Sequence, residues 1–235
     1  MRFDQGLREL LPKARRERGG ALSFNGPQSV KHLIESLGVP HTEVGRLIVN
    51  GSPSGLHYLV RDGDRIEVFS GPEHIETKEP RFAIDGHLGR LTAGLRLLGL
   101  DCDYSRDISD DELAEGALQS SRFILTRDRH LLMRKAISQG YLVRALDPRA
   151  QLREVVARFG LQAWFQPFHR CMRCNGLLRP VAKEAVLDRI QPLTRLYFDD
   201  FRVCSSCNQV YWKGSHFSRL QKTVAALTPL DSDGA

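Results

Sequence analysis

Two pairs of cysteines are the first residues of this chain whose types and spacing could do chemistry. They form the motifs "CMRC" and "CSSC", which supply Cys171, Cys174, Cys204 and Cys207, with 29 residues between the pairs. Four thiolates at this spacing are typical of a tetrahedral structural Zn²⁺ site that leaves no position open for water. A redox role is the alternative, and the presence of both pairs favours zinc. We therefore predict a Cys₄ zinc ribbon in which the spacer forms a long hairpin, and we expect the fifth cysteine, Cys102, to pack in a core.

A set of aspartates is the second candidate. Asp85 ends the apolar run "FAID" and Asp128 ends "ILTRD", while Asp110 and Asp111 open the segment "SDDELAEGALQS". Ligands of open α/β sheets gather at the carboxyl ends of the strands, so these acids are expected to face one crevice. Carboxylate oxygens suit Mg²⁺ or Mn²⁺, which could activate water for phosphodiester hydrolysis. The alternative is that Asp110 or Asp111 only caps a helix and that Asp128 forms a local ion pair in a surface turn.

Cationic and aromatic side chains accompany both candidate sites. Eight of them are assigned to substrate binding: Arg90, Arg127, Arg129, Arg134, Trp212, Lys213, His216 and Arg219. In this interpretation Trp212 and its neighbour Tyr211 stack on bases while the cations meet phosphate. The alternative is that Trp212 packs over the zinc site and that His216 caps or hydrogen-bonds within the ribbon.

Charge and composition restrict the class of protein. The chain carries a net charge of +6, and residues 166–222 alone hold 10 Lys and Arg against 4 Asp and Glu. A polyanion would therefore be met first by the last third of the chain. We found no apolar stretch long enough to cross a bilayer and no signal-peptide core, so we expect a cytoplasmic protein without a membrane partner.

The elements that must position these residues divide the chain into three predicted segments: residues 1–80, 81–165 and 166–235. In the second, strand and helix alternate, which predicts a parallel sheet flanked by helices. The stripe Leu88, Leu91, Leu95 and Leu98 marks one helix, with Arg96 off the stripe. Another helix is expected over "RHLLMRKAISQG". The third segment holds the zinc ribbon and a frayed tail.

The first segment contains a helix capped by Ser29 and the strands "RLIVNG" and "RIEVF", followed by the linker "GPEHIETKEP". It resembles the ubiquitin-like β-grasp domains of the sulfur-carrier type, which act through a free terminal Gly-Gly. Here the last strand ends in "FSG" and the chain continues. We therefore expect a packing or interaction module with a protein partner, and sulfur transfer is disfavoured.

The stretches "FAIDGHLGRLTAGLRLLGLD", "SDDELAEGALQSSRFILTRDRHLLMR" and "CSSCNQVYWKGSHFSRL" resemble the PIN-like RNase family named for the C-terminal domain of the Mut-seven exonuclease. The resemblance spans residues 81–222 and implies a PIN-like α/β/α domain acting on single-stranded RNA with Mg²⁺ or Mn²⁺. It implies Asp85, Asp110 and Asp128 as catalytic metal ligands, with Asp111 as an alternate. A further acid is usual in such sites, and Asp147 is the candidate.

Two functions follow from these observations. The first is a metal-dependent ribonuclease that hydrolyses phosphodiester bonds of single-stranded RNA. The second is an RNA-binding protein of the same fold with weak or no catalysis, whose ubiquitin-like domain binds a protein partner. Cleavage stimulated by Mn²⁺ would separate them.

Overall fold

The computed structural model describes residues 1–16, 20–71 and 80–228. Most of the predicted linker and the end of the predicted tail lie outside these ranges. The elements of the first 71 residues are β1 (Arg2–Phe3), α1 (Gln5–Arg8), α2 (Lys13–Arg16), α3 (Val30–Ser36), β2 (Val44–Val49), β3 (Ser52–Ser54) and β4 (Ile66–Ser70).

These strands form the sheet of the ubiquitin-like domain, in the order β1-β4-β2-β3. β1 runs parallel to β4, and β2 is antiparallel to both β3 and β4. α3 begins where the Ser29 side chain accepts a hydrogen bond from the His32 amide, as the sequence predicts. Its buried residues include Leu33 and Ile34. The β-grasp prediction is confirmed.

Residues 80–144 alternate strand and helix. The elements are β5 (Arg81–Ile84), α4 (Gly89–Leu97), β6 (Asp101–Tyr104), α5 (Asp110–Ser120), β7 (Phe123–Thr126), α6 (Arg129–Leu132) and β8 (Gly140–Leu142). β5 pairs in parallel with β6, and β7 pairs in parallel with β8. A helix lies between the strands of each pair because parallel neighbours need a crossover connection. The predicted α/β class with parallel strands is confirmed.

The remaining residues form a helix and the ribbon. The elements are α7 (Pro148–Phe159), β9 (Leu178–Val181), α8 (Pro192–Tyr197), β10 (Phe201–Cys204), β11 (Val210–Trp212) and α9 (Phe217–Ala225). The ribbon is an antiparallel sheet in the order β11-β10-β9. Its spacer forms the long hairpin that was expected, because β9 and β10 pair as antiparallel strands, and a 3₁₀ helix (Lys183–Arg189) and α8 lie in the connection between them. Val186 and Ile190 from this insertion pack on Phe201 and Val203 in a small apolar core.

One local prediction is wrong, and one arginine is unexpectedly buried. The helix expected over "RHLLMRKAISQG" is one turn, α6, after which Ile137 is buried and its carbonyl meets the His41 ring at 2.8 Å. This tertiary contact overrides the helical propensity of the segment. Arg96 lies off the apolar stripe, as the sequence indicates, but it is only 3% exposed. Its guanidinium is buried because it bonds backbone carbonyls, which are described with the site.

The chain divides into two compact units that cut across the predicted segments. The first unit joins the ubiquitin-like domain to Asp107–Arg144, and the second joins the described residues 80–106 to 145–228. The ubiquitin-like domain thus shares a unit with β7 and β8, and the ribbon shares one with β5 and β6. Within the described ranges, no helix has the length and apolar character needed to cross a membrane.

Candidate active site and zinc centre

The zinc ligands predicted from the sequence lie together in the ribbon. Atoms Sγ of Cys171, Cys174, Cys204 and Cys207 all lie within 4.8 Å of one another. The pair Cys171–Cys207 is 3.7 Å apart and the pair Cys174–Cys204 is 3.3 Å apart. A tetrahedral Zn²⁺ with bonds of about 2.3 Å holds its sulfurs roughly 3.8 Å apart, so four thiols at these separations fit the ion.

The two CxxC motifs fold into matching turns. In the first, Cys171 receives a backbone hydrogen bond at its carbonyl from Asn175, and in the second Cys204 receives one from Asn208. Both asparagines have a left-handed backbone, with φ of 71° and 58°. Asparagine adopts this conformation at lower cost than other non-glycine residues. The repeated pattern C-x-x-C-N is therefore a sequence signal for these turns, and it extends the motif that was recognised.

The thiols of Cys174 and Cys204 differ in pKa in the absence of a bound cation. Desolvation raises the pKa of Cys174 to about 12. Desolvation also acts on Cys204, but the amides of Cys207 and Ser206 donate to its Sγ and lower its pKa to about 7. Zn²⁺ requires all of its cysteine ligands as thiolates, so binding would release protons and would weaken as the pH falls.

The first CxxC turn is tied to β6 and α4 by buried polar groups. Arg96 donates twice to the Cys102 carbonyl and once each to the carbonyls of Met172 and Arg173, at 2.8–3.3 Å. The Asn175 side chain accepts from the Cys102 amide and donates to Asp101. These bonds join the ribbon to the α/β part of the second unit. Cys102 itself is fully buried, as predicted.

Asp85 follows β5 and lies in a tightly packed turn. Its side chain accepts from the His87 amide at 3.2 Å and caps the 3₁₀ turn Gly86–Leu88. A Cβ at Gly86 would lie 2.3 Å from the Arg106 carbonyl, so only glycine fits there. Tyr104 donates its hydroxyl to the Gly86 carbonyl. The "IDG" turn is therefore fixed by β6 and the loop after it, a role for Tyr104 that the sequence did not suggest.

The other predicted acids lie in the first unit. Asp128 follows β7 and caps α6, accepting the amides of His130 and Leu131 on one oxygen. Asp110 is the exposed first residue of α5, and its neighbour Asp111 pairs with Arg134 at 2.8 Å. Capping was the alternative for Asp110 and Asp111, but Ser109 caps α5, and the acids that do cap are Asp85 and Asp128. Capping and metal binding are compatible, because a carboxylate has about four lone-pair positions.

Asp147, the candidate further acid, repeats this arrangement in the second unit by capping α7 through the amides of Arg149 and Ala150. Within the ranges that the structure describes, the cysteine cluster is the one group of three or more His, Cys, Asp or Glu residues close enough to share an ion. The metal assignment of the acids therefore stays a prediction.

The arginines predicted to contact substrate differ in their surroundings. Arg90 and Arg127 are exposed. Arg134 engages Asp111, as described above. Arg129 is half-buried and donates to the Leu10 carbonyl at 3.1 Å, and its guanidinium contacts Gly38 so closely that a Cβ there would lie 2.7 Å away. The Arg129 side chain therefore contacts the ubiquitin-like domain.

Glu43 holds the ubiquitin-like domain against β8. This residue is 1% exposed, and its carboxylate accepts from the Leu142 amide at 2.7 Å and from Arg144 at 2.8 Å. Beside it, His41 bridges Glu35 and the Ile137 carbonyl. The amide of Gly71, the residue that would end a carrier tail, donates to the Glu43 backbone carbonyl. The domain is thus built into the first unit through buried polar contacts.

The aromatic residues of the ribbon separate into two environments. The Tyr211 hydroxyl lies 3.1 Å from Cys171 Sγ, so Tyr211 is an aromatic residue in contact with the cysteine cluster. Trp212 is 39% exposed. Lys213 pairs with Asp200 at 2.6 Å, and this hydrogen bond lowers the pKa of Asp200. His216 is at the start of α9 and makes no side-chain cap, and Arg219 is exposed on that helix.

An α/β domain with parallel strands, an N-terminal ubiquitin-like domain and a Cys₄ ribbon defines the class of this protein. Family models match both parts: Mut7-C RNAse domain over residues 80–224 and Mut7-C ubiquitin over residues 1–76. The chain belongs to the Mut7-C RNAse domain family, which supports a ribonuclease-type function. No curated protein and no solved structure gives a match.

Proposed function

We propose that the chain is a metal-dependent ribonuclease that hydrolyses single-stranded RNA and uses Asp85, Asp110 and Asp128 to hold Mg²⁺ or Mn²⁺, with Asp111 as an alternate for Asp110. The observation that carries the proposal is that Asp85 and Asp128 each follow a parallel strand and cap the turn or helix beyond it, in a chain of an RNase family. Strand ends are where ligands bind in α/β folds.

The donor set suits the proposed ions. Carboxylates and water are the ligands that Mg²⁺ and Mn²⁺ prefer. When bound, the cation would polarise the phosphodiester and lower the pKa of water. The backbone amides that cap Asp85 and Asp128 fix the rotation of each carboxylate, so the acids would need little reorganisation to bind.

RNA cleavage with added Mn²⁺ tests the proposal. Asp85→Asn and Asp128→Asn are the informative variants, because Asn is as good an N-cap as Asp and only the charge is removed. Asp4→Asn is the matched control: Asp4 also caps a helix, α1, but belongs to the ubiquitin-like domain. We expect cleavage to fall at least a hundredfold in the first two variants and to stay unchanged in the control. Equal cleavage by all three would overturn the assignment.

RNA binding with weak or no catalysis is the second candidate function. It is favoured by the capping roles of Asp85 and Asp128 and by the engagement of Arg129 with the ubiquitin-like domain. A steep salt dependence of RNA binding, without cleavage stimulated by Mn²⁺, would select it. In either case the structural ion of the ribbon is proposed to be Zn²⁺, and a protein partner of the ubiquitin-like domain stays a prediction.

A further inference from the structure

A groove of about 430 Å³ lies between the ribbon and α9 in the second unit. Its walls include Trp212 from β11, Phe168 from the segment before the first CxxC turn, and Phe217 and Leu220 from α9. This volume is within the range of small-ligand clefts, about 300–1,000 Å³, and the aromatic walls are typical of them. The groove is therefore large enough to hold a flat ring system.

Trp212 presents a fixed indole to this groove. Gly214 lies against the indole edge so closely that a Cβ there would be 2.7 Å from Nε1. The Gly214 amide also donates to the Trp212 carbonyl at 3.0 Å. Because the indole is held on one side and remains 39% exposed, it offers a preformed surface on which a base can stack.

Phe168 on the groove wall has an unusual backbone. Its φ is 61°, an uncommon conformation for a bulky residue. The conformation is held by the Phe168 amide, which donates to Leu97, and by its carbonyl, which accepts from Arg202. The Phe168 ring packs on Phe217, with ring centroids 4.7 Å apart. Strained residues that are held in this way cluster at ligand sites, and this one fixes an aromatic pair on the groove wall.

The rim of the groove is cationic. Its cations are Arg170, Arg202 and Lys213, beside His216 and one acid, Asp200, which pairs with Lys213. This rim belongs to the stretch 166–222, where 10 Lys and Arg face 4 Asp and Glu. Aromatic surfaces between cations are the combination that binds single-stranded nucleic acid, since rings stack on bases while charges follow the backbone.

We propose that this groove binds a nucleobase of single-stranded RNA, with Trp212 as the stacking residue and Lys213 and Arg202 facing the phosphates. The inference rests on the proposed function for the identity of the ligand. It adds a binding site on the ribbon and α9 to the acids named above. A bound zinc ion would then have an indirect role, because its ligands Cys204 and Cys207 lie at the end of β10 and in the turn that leads to β11, which carries Trp212.

Tryptophan fluorescence tests the proposal in the full chain. The chain has two tryptophans, Trp164 and Trp212, so Trp164→Phe leaves Trp212 as the one reporter. The probe is a ten-nucleotide oligouridylate at low salt without added divalent metal, which prevents cleavage. We expect saturable quenching of Trp212 that follows the binding curve of the same oligonucleotide carrying a fluorescein label.

Variants with the labelled oligonucleotide separate stacking from charge. Trp212→Ala should weaken binding by on the order of tenfold, because one stacking contact is lost. The salt slope should stay unchanged, because no contact between a cation and a phosphate is removed. Lys213→Gln should reduce the salt slope by about one. Tyr197→Ala is the matched control, since Tyr197 is a 69% exposed aromatic residue on α8 that does not line the groove. It should bind like the parent chain.

Folding and function are monitored separately. Zinc content and thermal unfolding of each variant report whether the ribbon is intact, and Trp212→Phe, which keeps a ring, should retain most of the affinity. The groove proposal is wrong, and the ribonuclease proposal stands, if RNA is bound and cut while Trp212 fluorescence is not quenched and Trp212→Ala binds RNA as tightly as the parent. If the groove instead takes an apolar peptide and Trp212→Ala binds RNA normally, the proposal is also overturned. If the parent chain binds no RNA, both proposals fail.

Discussion

Removing the Glu43 carboxylate is the sharpest test of how the ubiquitin-like domain is attached. The side chain is 1% exposed and accepts hydrogen bonds from the Leu142 amide and the Arg144 guanidinium. Glu43→Ala would leave both donors without this acceptor in a buried setting. We expect the domain to remain folded but to separate more readily from β8.

The magnitude follows from the burial of the two partners. Breaking a buried ion pair by removing one member costs about 3–5 kcal/mol. The Arg144 side chain is 28% exposed and can be partly hydrated, so we expect the lower end, about 3 kcal/mol, for Glu43→Ala. Glu43→Gln keeps an acceptor for Leu142 and loses only the charge, which gives about 1.5–2 kcal/mol.

Urea unfolding and hydrogen exchange measure this effect. The free energy of unfolding of the first unit should fall in the order parent, Gln, Ala, and exchange of the Leu142 amide should accelerate in step. Glu67→Ala, at an exposed position on β4, is the control and should change little. A free energy of unfolding for Glu43→Ala within 0.5 kcal/mol of the parent value would be roughly the effect of an ordinary surface substitution. The hydrogen bonds of Glu43 would then not be what attaches the ubiquitin-like domain to β8.

Three further predictions concern the ribbon and the turns. Cys174→Ser should abolish stoichiometric zinc binding and disorder the ribbon, while Cys102→Ser, outside the ligand set, should retain one zinc per chain as measured by metal analysis after gel filtration. Arg96→Met should destabilise the second unit by about 3 kcal/mol and speed zinc release to a chelator, because four hydrogen bonds to carbonyls are lost, whereas the exposed Arg90→Met should do neither. The Arg61 amide, then Asn50 and Tyr58, hydrogen-bond to Asp64 and lower its pKa, so its stabilisation is present at neutral pH and is lost as the pH falls through the usual value near ~3.9 and below. Thermal unfolding should therefore show Asp64→Asn less stable than the parent at pH 7, and the difference should shrink as the pH is lowered below about 3.9; a difference that does not change with pH would refute this cause.

Local patterns in the sequence determined much of this protein. The Ser29 cap begins α3, each C-x-x-C motif brings two thiols together, and the alternation of strand and helix predicts parallel pairs. The cap and each cysteine pair depend on residues a few positions apart, where spacing alone fixes which groups meet. The fold class and the cysteine ligand set were therefore predictable from local patterns.

The tertiary structure alone decided which polar groups are buried. Glu43 and Leu142 are 99 residues apart in the chain, and Arg96 and Arg173 are 77 apart. Arg129 faces the ubiquitin-like domain, although its sequence neighbours resemble those of a substrate-binding arginine. The neighbouring sequence does not show whether a charged side chain is buried, because burial is favourable only when groups distant in the chain form hydrogen bonds with it. Long-range packing supplied those partners, and so it determined how the ubiquitin-like domain and the ribbon are each joined to half of the nuclease fold.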